Sequence, residues 1–151
     1  SVSLYFLIRL YLMNTTKITL NVLGEPLENC SCNPMTGYLR DGFCNTTPDD
    51  FGTHVVCAIM TEDFLKYSLS KGNDLITPVP QWKFPGLKPG DKWCLCVSRW
   101  KQAESANVAP PIDLKATHEL ALKFVSLDLL KQYAISSESV RLLCSTNWSI
   151  I

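Results

Sequence analysis

Trp93-Cys94-Leu95-Cys96-Val97-Ser98-Arg99-Trp100 is the densest aromatic and thiol cluster in the chain, and it reads as a buried strand. Strand side chains alternate between faces, so Cys94, Cys96 and Ser98 share one face and Trp93, Leu95, Val97 and Arg99 the other. Lys88-Pro89-Gly90-Asp91 before it is a turn, with Pro pre-setting φ and Gly accepting a positive one. Two thiols at i and i+2 point the same way and do not readily bridge each other. Each needs a third partner: another cysteine, a metal, or apolar packing, since free cysteine is among the most buried residue types.

The partner strand is His54-Val55-Val56-Cys57-Ala58-Ile59-Met60. Thr61-Glu62-Asp63 then starts a helix over 61–70, with Thr61 as cap and acids at the positive end of the dipole. Leu20 and Val22 alternate with polar residues in a short strand over 18–22, and Ile112, Leu114 and Ala116 mark another. A helical turn is expected over 100–106, a helix over 117–125, and a helix over 127–133 opened by Ser126. The stretches 28–52 and 73–92 are rich in turn residues and read as long ordered loops. These elements predict an α+β fold: a single compact domain with a small, mainly antiparallel sheet packed on two or three helices. That domain is placed at 18–134, between an N-terminal extension over 1–17 and a C-terminal tail over 135–151. Met13 looks like an ordinary start, so residues 1–12 are expected not to be native coding sequence.

At 151 residues the chain fits one domain with a real core. Fourteen basic residues balance 14 acidic ones and no basic run appears, which argues against nucleic acid. The apolar run at 2–13 is broken by Arg9 and is too short for a bilayer span, so no membrane partner is expected. The 46% hydrophobic content argues against disorder. Seven cysteines are an odd number, leaving at least one unpaired in a monomer. With no signal peptide evident, a reducing, cytoplasmic setting is expected. An oxidising one would leave a disulfide open, for example Cys30 with Cys44.

With these stretches in view, the chain resembles a family of small, mostly bacterial proteins classed as domain of unknown function 2237. The resemblance rests on Asn21-Val22-Leu23-Gly24, Pro34-Met35-Thr36-Gly37, Arg40-Asp41-Gly42, His54-Val55-Val56-Cys57-Ala58 and Gly72-Asn73-Asp74-Leu75. It continues with Phe84-Pro85-Gly86-Leu87, Gly90-Asp91-Lys92-Trp93-Cys94-Leu95-Cys96, Arg99-Trp100, Ala109-Pro110-Pro111 and Ala116-Thr117-His118-Glu119. The order and spacing fit over about residues 21–134. The resemblance implies a free-standing bacterial-type domain and supplies no mechanism. Where the family often shows two adjacent cysteines, this chain has Phe43-Cys44, which weakens any scheme needing a thiol at 43. Cys32 and Cys144 do not match the family pattern.

Three chemistries compete. His54, Cys57, Cys94 and Cys96 offer one nitrogen and three sulfurs, a zinc donor set, although neither spacing is the C-x-x-C knuckle. Cys44 in a turn-rich loop, His118 at a helix start and Glu119 beside it supply thiol, base and orienting carboxylate for nucleophilic catalysis. Arg40, Asp41, Asp74, Trp82, Arg99 and Trp100, on or beside long loops, suit a small polar ligand with an aromatic wall, or a protein partner. Acid–base work by Asp41, Asp49 or Asp50 stays open, although charged pairs in turns are usually solvated. No glycine-rich phosphate loop, nucleophile elbow or H-E-x-x-H is present. The leading expectation is an uncharacterised small soluble binding domain, with these Cys and His residues as candidate ligands for a metal such as zinc; no cofactor is fixed. A thiol enzyme is the first alternative, and a purely structural or interaction domain with buried cysteines the second.

Overall fold

The structure is a computed structural model that describes residues 3–13 and 17–136. The expectations for the tail beyond residue 136, and for Cys144, lie outside the described residues. Helix α1 (Leu4–Met13) is apolar, with Leu4, Tyr5, Phe6, Leu7 and Ile8 exposed. None of the helices among the described residues is long and apolar enough to cross a membrane.

The remaining elements are β1 (His54–Ile59), α2 (Glu62–Ser70), β2 (Lys92–Cys96), α3 (Val97–Ser105) and α4 (Leu127–Gln132). The two strands form an antiparallel pair, with Cys57 opposite Cys94 and His54 opposite Cys96; a bulge lies between His54 and Val56. Together with the helices this is a compact α+β arrangement. The α2 start is as expected, with the Thr61 hydroxyl accepting from Phe64 N–H. Ser126 caps α4 in the same way through Leu129 N–H.

The central strand ends earlier than its apolar pattern suggests. Val97, Ser98 and Arg99 are helical, so α3 begins immediately after Cys96. Val97, Trp100 and Ala103 are buried at a spacing of three, which is one face of a helix and not a strand alternation. Alternation alone over the short apolar run did not distinguish the two.

The 112–116 strand is replaced by an irregular edge. Ile112 bridges Ala58 on one side and Ala134 on the other, and 114–116 is a 3₁₀ turn. Pro110 and Pro111 bring no N–H to a ladder. Thr117 then substitutes for a backbone acceptor, taking the Cys57 N–H on its hydroxyl at 3.2 Å. The helix expected over 117–125 is a 3₁₀ segment over Glu119–Lys123. The strand at 18–22 shrinks to single bridges at Leu20 and Asn21.

Trp100 is fully buried at the centre of the core. Its indole N–H donates to Pro110 O at 3.1 Å, and its ring meets Tyr133 edge to face at 5.0 Å. Phe84 and Trp93 make a second such pair at 5.3 Å, pinning the 73–92 loop to β2. Helix α3 packs on both strands and on α2, fixing the direction in which the chain leaves Cys96.

Candidate functional site

Cys57 and Cys94 point from adjacent strands toward the 28–44 loop, and each takes one cysteine from it. The two bridges formed are Cys30–Cys57 and Cys44–Cys94; Cys32 is disulfide-bonded as well. Cys30, Cys44, Cys57 and Cys94 are buried as expected, but as disulfides, which count against the metal-binding expectation; Cys30 pairs with Cys57 and not with Cys44. The sulfurs of Cys30, Cys44 and Cys57 lie within 4.8 Å of one another, but all three are oxidised. A zinc ligand must be a thiolate, so the set His54, Cys57, Cys94 and Cys96 is not assembled: two of its three sulfurs are in disulfides. The fused loop is also held by Thr36, whose hydroxyl accepts from Cys94 N–H at 2.9 Å.

Cys96 is the free cysteine among the described residues. It is half-buried and serves as the N-cap residue of α3. Its sulfur lies 3.1 Å from His54 Nε2, across the antiparallel register. The other ring nitrogen, Nδ1, lies 2.6 Å from Asp50 Oδ1. Asp50 is buried, and its second oxygen accepts from His54 N–H at 2.9 Å and from the Thr46 hydroxyl at 3.0 Å. One carboxylate therefore fixes both the backbone and the ring of His54.

Local chain geometry explains the line Asp50–His54–Cys96. Tight turns hold 47–53, with Asp50 N–H donating to Thr47 O and Thr53 N–H to Asp50 O. Thr53 adopts a left-handed φ of 49°, and its carbonyl accepts from both Val55 and Val97 N–H. That shared acceptor ties the start of α3 to the start of β1. Gly52 runs against the pair: a Cβ there would lie 2.6 Å from His54 Cε1 and 2.8 Å from Cys96 Sγ. Only glycine leaves room for an imidazole and a thiol in contact at this point.

The electrostatics follow from these contacts. His54 is raised from 6.5 to about 9, first by its hydrogen bond to Cys96 and then by Asp50, against the opposing effect of burial. An imidazolium donates from both nitrogens, which makes the Cys96 sulfur the acceptor. Burial pushes the Asp50 carboxyl up, but the hydrogen bonds and charge of His54, with Thr46, outweigh it and hold it below its ordinary value.

A cavity of about 360 Å³ opens beside His54, lined by Gly37, Tyr38, Arg40, His54, Trp82, Trp93 and Cys94. Tyr38 stacks over the His54 ring at 6.3 Å between centroids. The Arg40 guanidinium lies 5.0 Å over the Trp93 ring.

The other expected site residues sit elsewhere. Cys44 is fully buried in its disulfide, so it is no nucleophile. His118 caps a 3₁₀ segment, its Nδ1 accepting from Leu120 N–H at 2.9 Å. Burial lowers its pKa, with Glu119 opposing; the direction is the one expected, but the cause is burial and not the helix start. Of the six ligand candidates, Arg40 and Trp82 line the cavity. Asp41 accepts from Phe43 N–H and Asp74 from Ile76 and Thr77 N–H, both as turn residues. Arg99 reaches Lys71 O and Gln102 Oε1, and Trp100 is core. Asp50, expected to be solvated as turn residues usually are, is the buried carboxylate of the site. Its i,i+4 spacing to His54 around a turn containing Gly52 was the available signal.

No curated protein matches the chain. Residues 20–134 match the family described as "Uncharacterized protein conserved in bacteria (DUF2237)", and the chain belongs to that family.

Proposed function

We propose that this protein is a thiol-dependent enzyme in which Cys96 is the nucleophile, His54 carries the proton and Asp50 orients the imidazole. The observation that carries this reading is the continuous line from Asp50 through His54 to the free thiol, with contacts of 2.6 and 3.1 Å. A nucleophile bonded to a base that is in turn bonded to an orienting group is the general signature of nucleophilic catalysis. The thiol chemistry weighed from sequence is kept, with different residues from Cys44, His118 and Glu119.

The reaction class is acyl transfer to sulfur. The Cys96 thiolate attacks a carbonyl carbon, the S–C bond forms, and the bond to the leaving group breaks. The leaving group takes the proton from His54. Water then attacks the thioester; His54 accepts its proton, the S–C bond breaks, and the thiolate–imidazolium pair is restored. First-turn N–H groups of α3 beyond Val97 have no acceptor within the helix and suit a developing oxyanion. The domain that carries this chemistry is residues 18–134. Two buried disulfides favour an oxidising compartment over the cytoplasm that thiol usage suggested.

A non-catalytic binding domain has the cavity in its favour and predicts an ordinary thiol at Cys96. Iodoacetamide at pH 6, followed by peptide mapping, separates the two. We expect Cys96 to be modified first, about tenfold faster than glutathione, because the His54 ring in contact with its sulfur sets a hydrogen-bond donor and a positive charge on the attacking atom. Labelling of Cys96 no faster than glutathione overturns the enzyme reading.

A further inference from the structure

We infer that the cavity beside His54 is the subsite for an anionic group of the substrate, so that the enzyme acts on small electrophiles bearing a carboxylate held by Arg40. This inference rests on the reading of Cys96 as nucleophile and adds the substrate class.

The cavity is lined by two cation-bearing side chains, Arg40 and His54, and by no carboxylate. Among the described residues no acidic side chain forms an ion pair with Arg40. The guanidinium is nevertheless held in place. One terminal nitrogen donates to Gly37 O at 2.7 Å, and the plane lies over the Trp93 ring. Gly37 has a φ of 99°, and a Cβ there would run into the Phe43 carbonyl, so the turn presenting Arg40 cannot easily relax. The disulfide Cys44–Cys94 ties that turn to β2, two residues before the nucleophile. A positioned guanidinium with N–H groups to spare is a fork for a carboxylate.

The rest of the cavity sets the shape of the ligand. Tyr38, Trp82 and Trp93 give aromatic walls, and Trp82 is 71% exposed with no core role to account for it. His54 belongs to both places: its ring lines the cavity and its Nε2 meets Cys96. Cys96 itself does not line the cavity, so a substrate anchored by its anion at Arg40 has to reach past the imidazole to meet the sulfur. A volume of about 360 Å³ suits a small molecule better than a folded partner.

Iodoacetate and iodoacetamide test this directly, since both place one carbon on sulfur with loss of iodide and differ in charge. The rate ratio of iodoacetate to iodoacetamide at Cys96 is measured at pH 6 and divided by the same ratio for glutathione. We expect about tenfold in favour of iodoacetate, at the low end of electrostatic steering effects. Arg40→Gln should bring the ratio down at least threefold, by about the amount expected for losing one steering charge. On the unaltered protein, 1 M salt should also reduce it, because screening then acts over about 3 Å. A ratio equal to that of glutathione, or one unmoved by Arg40→Gln and by salt, overturns the anion subsite and leaves the nucleophile standing. Failure of both reagents to label Cys96 faster than glutathione removes the nucleophile itself.

Discussion

Replacing His54 by Gln is expected to slow iodoacetamide alkylation of Cys96 about tenfold at pH 6. Without the imidazolium, the sulfur loses the hydrogen-bond donor and the positive charge that face it. On a true substrate the loss is larger, about 10²- to 10⁴-fold in turnover, because the leaving group also loses its proton donor. Asp50→Asn should fall between the variant and the parent. Its amide keeps the volume but has one acceptor oxygen, so it cannot take the His54 ring N–H on one side and the His54 backbone N–H and Thr46 hydroxyl on the other. Alkylation of His54→Gln at the parental rate contradicts the assignment.

Loss of the Cys44–Cys94 disulfide carries the largest expected effect on stability. The bond spans 50 residues, and closing a loop of that length in the unfolded chain stabilises the native state by about 4 kcal/mol in the chain-entropy description. Cys30–Cys57 spans 27 residues and contributes about 3.5 kcal/mol on the same basis. Domains of this kind are typically stable by only about 5–15 kcal/mol, so reduction of both leaves the protein marginal or unfolded. The paired variant Cys44→Ala/Cys94→Ala should show about 4 kcal/mol less stability by urea unfolding. It should also lose the Cys96 selectivity for iodoacetate, because the loop carrying Arg40 is no longer tied to β2. A stability loss under about 1 kcal/mol would mean that the loop is held mainly by its other contacts.

The sequence reading reached the two strands, the caps of α2 and α4, and the α+β class, because these depend on local pattern and on side chains three residues apart. It named His54 and Cys96 as members of one site but grouped them with Cys57 and Cys94 around a metal. Periodicity shows which residues share a face; it does not show which sulfurs are oxidised to each other. The bulge between His54 and Val56 brings the His54 ring to Cys96 and leaves Cys57 opposite Cys94. Bulges have no signature in a six-residue apolar run. Asp50 does not stand out in the sequence because turn carboxylates are usually solvated. Burial arises here because the 47–53 turns fold the side chain back under its own histidine, which is a tertiary outcome. The shift of Val97–Arg99 from strand to helix matters most for function. It converts a mid-strand thiol into a residue at the mouth of a helix.

The same contacts set a pH window for stability. His54 is raised in the folded state, so its contribution is complete below about 6.5 and is lost as pH rises through about 9. Asp50 is lowered, so its contribution is present above the ordinary carboxyl value of 3.8 and is lost as pH falls through its folded value.

The most direct test of the thiolate–imidazolium pair is an NMR titration of the His54 ring in the parent protein and in Cys96→Ser. The pair requires a midpoint near 9 in the parent and a clear fall toward 6.5 once the sulfur is gone, since Cys96 is the principal cause of the shift. A His54 ring that titrates near 6.5 in the parent, or that is unmoved by Cys96→Ser, contradicts it.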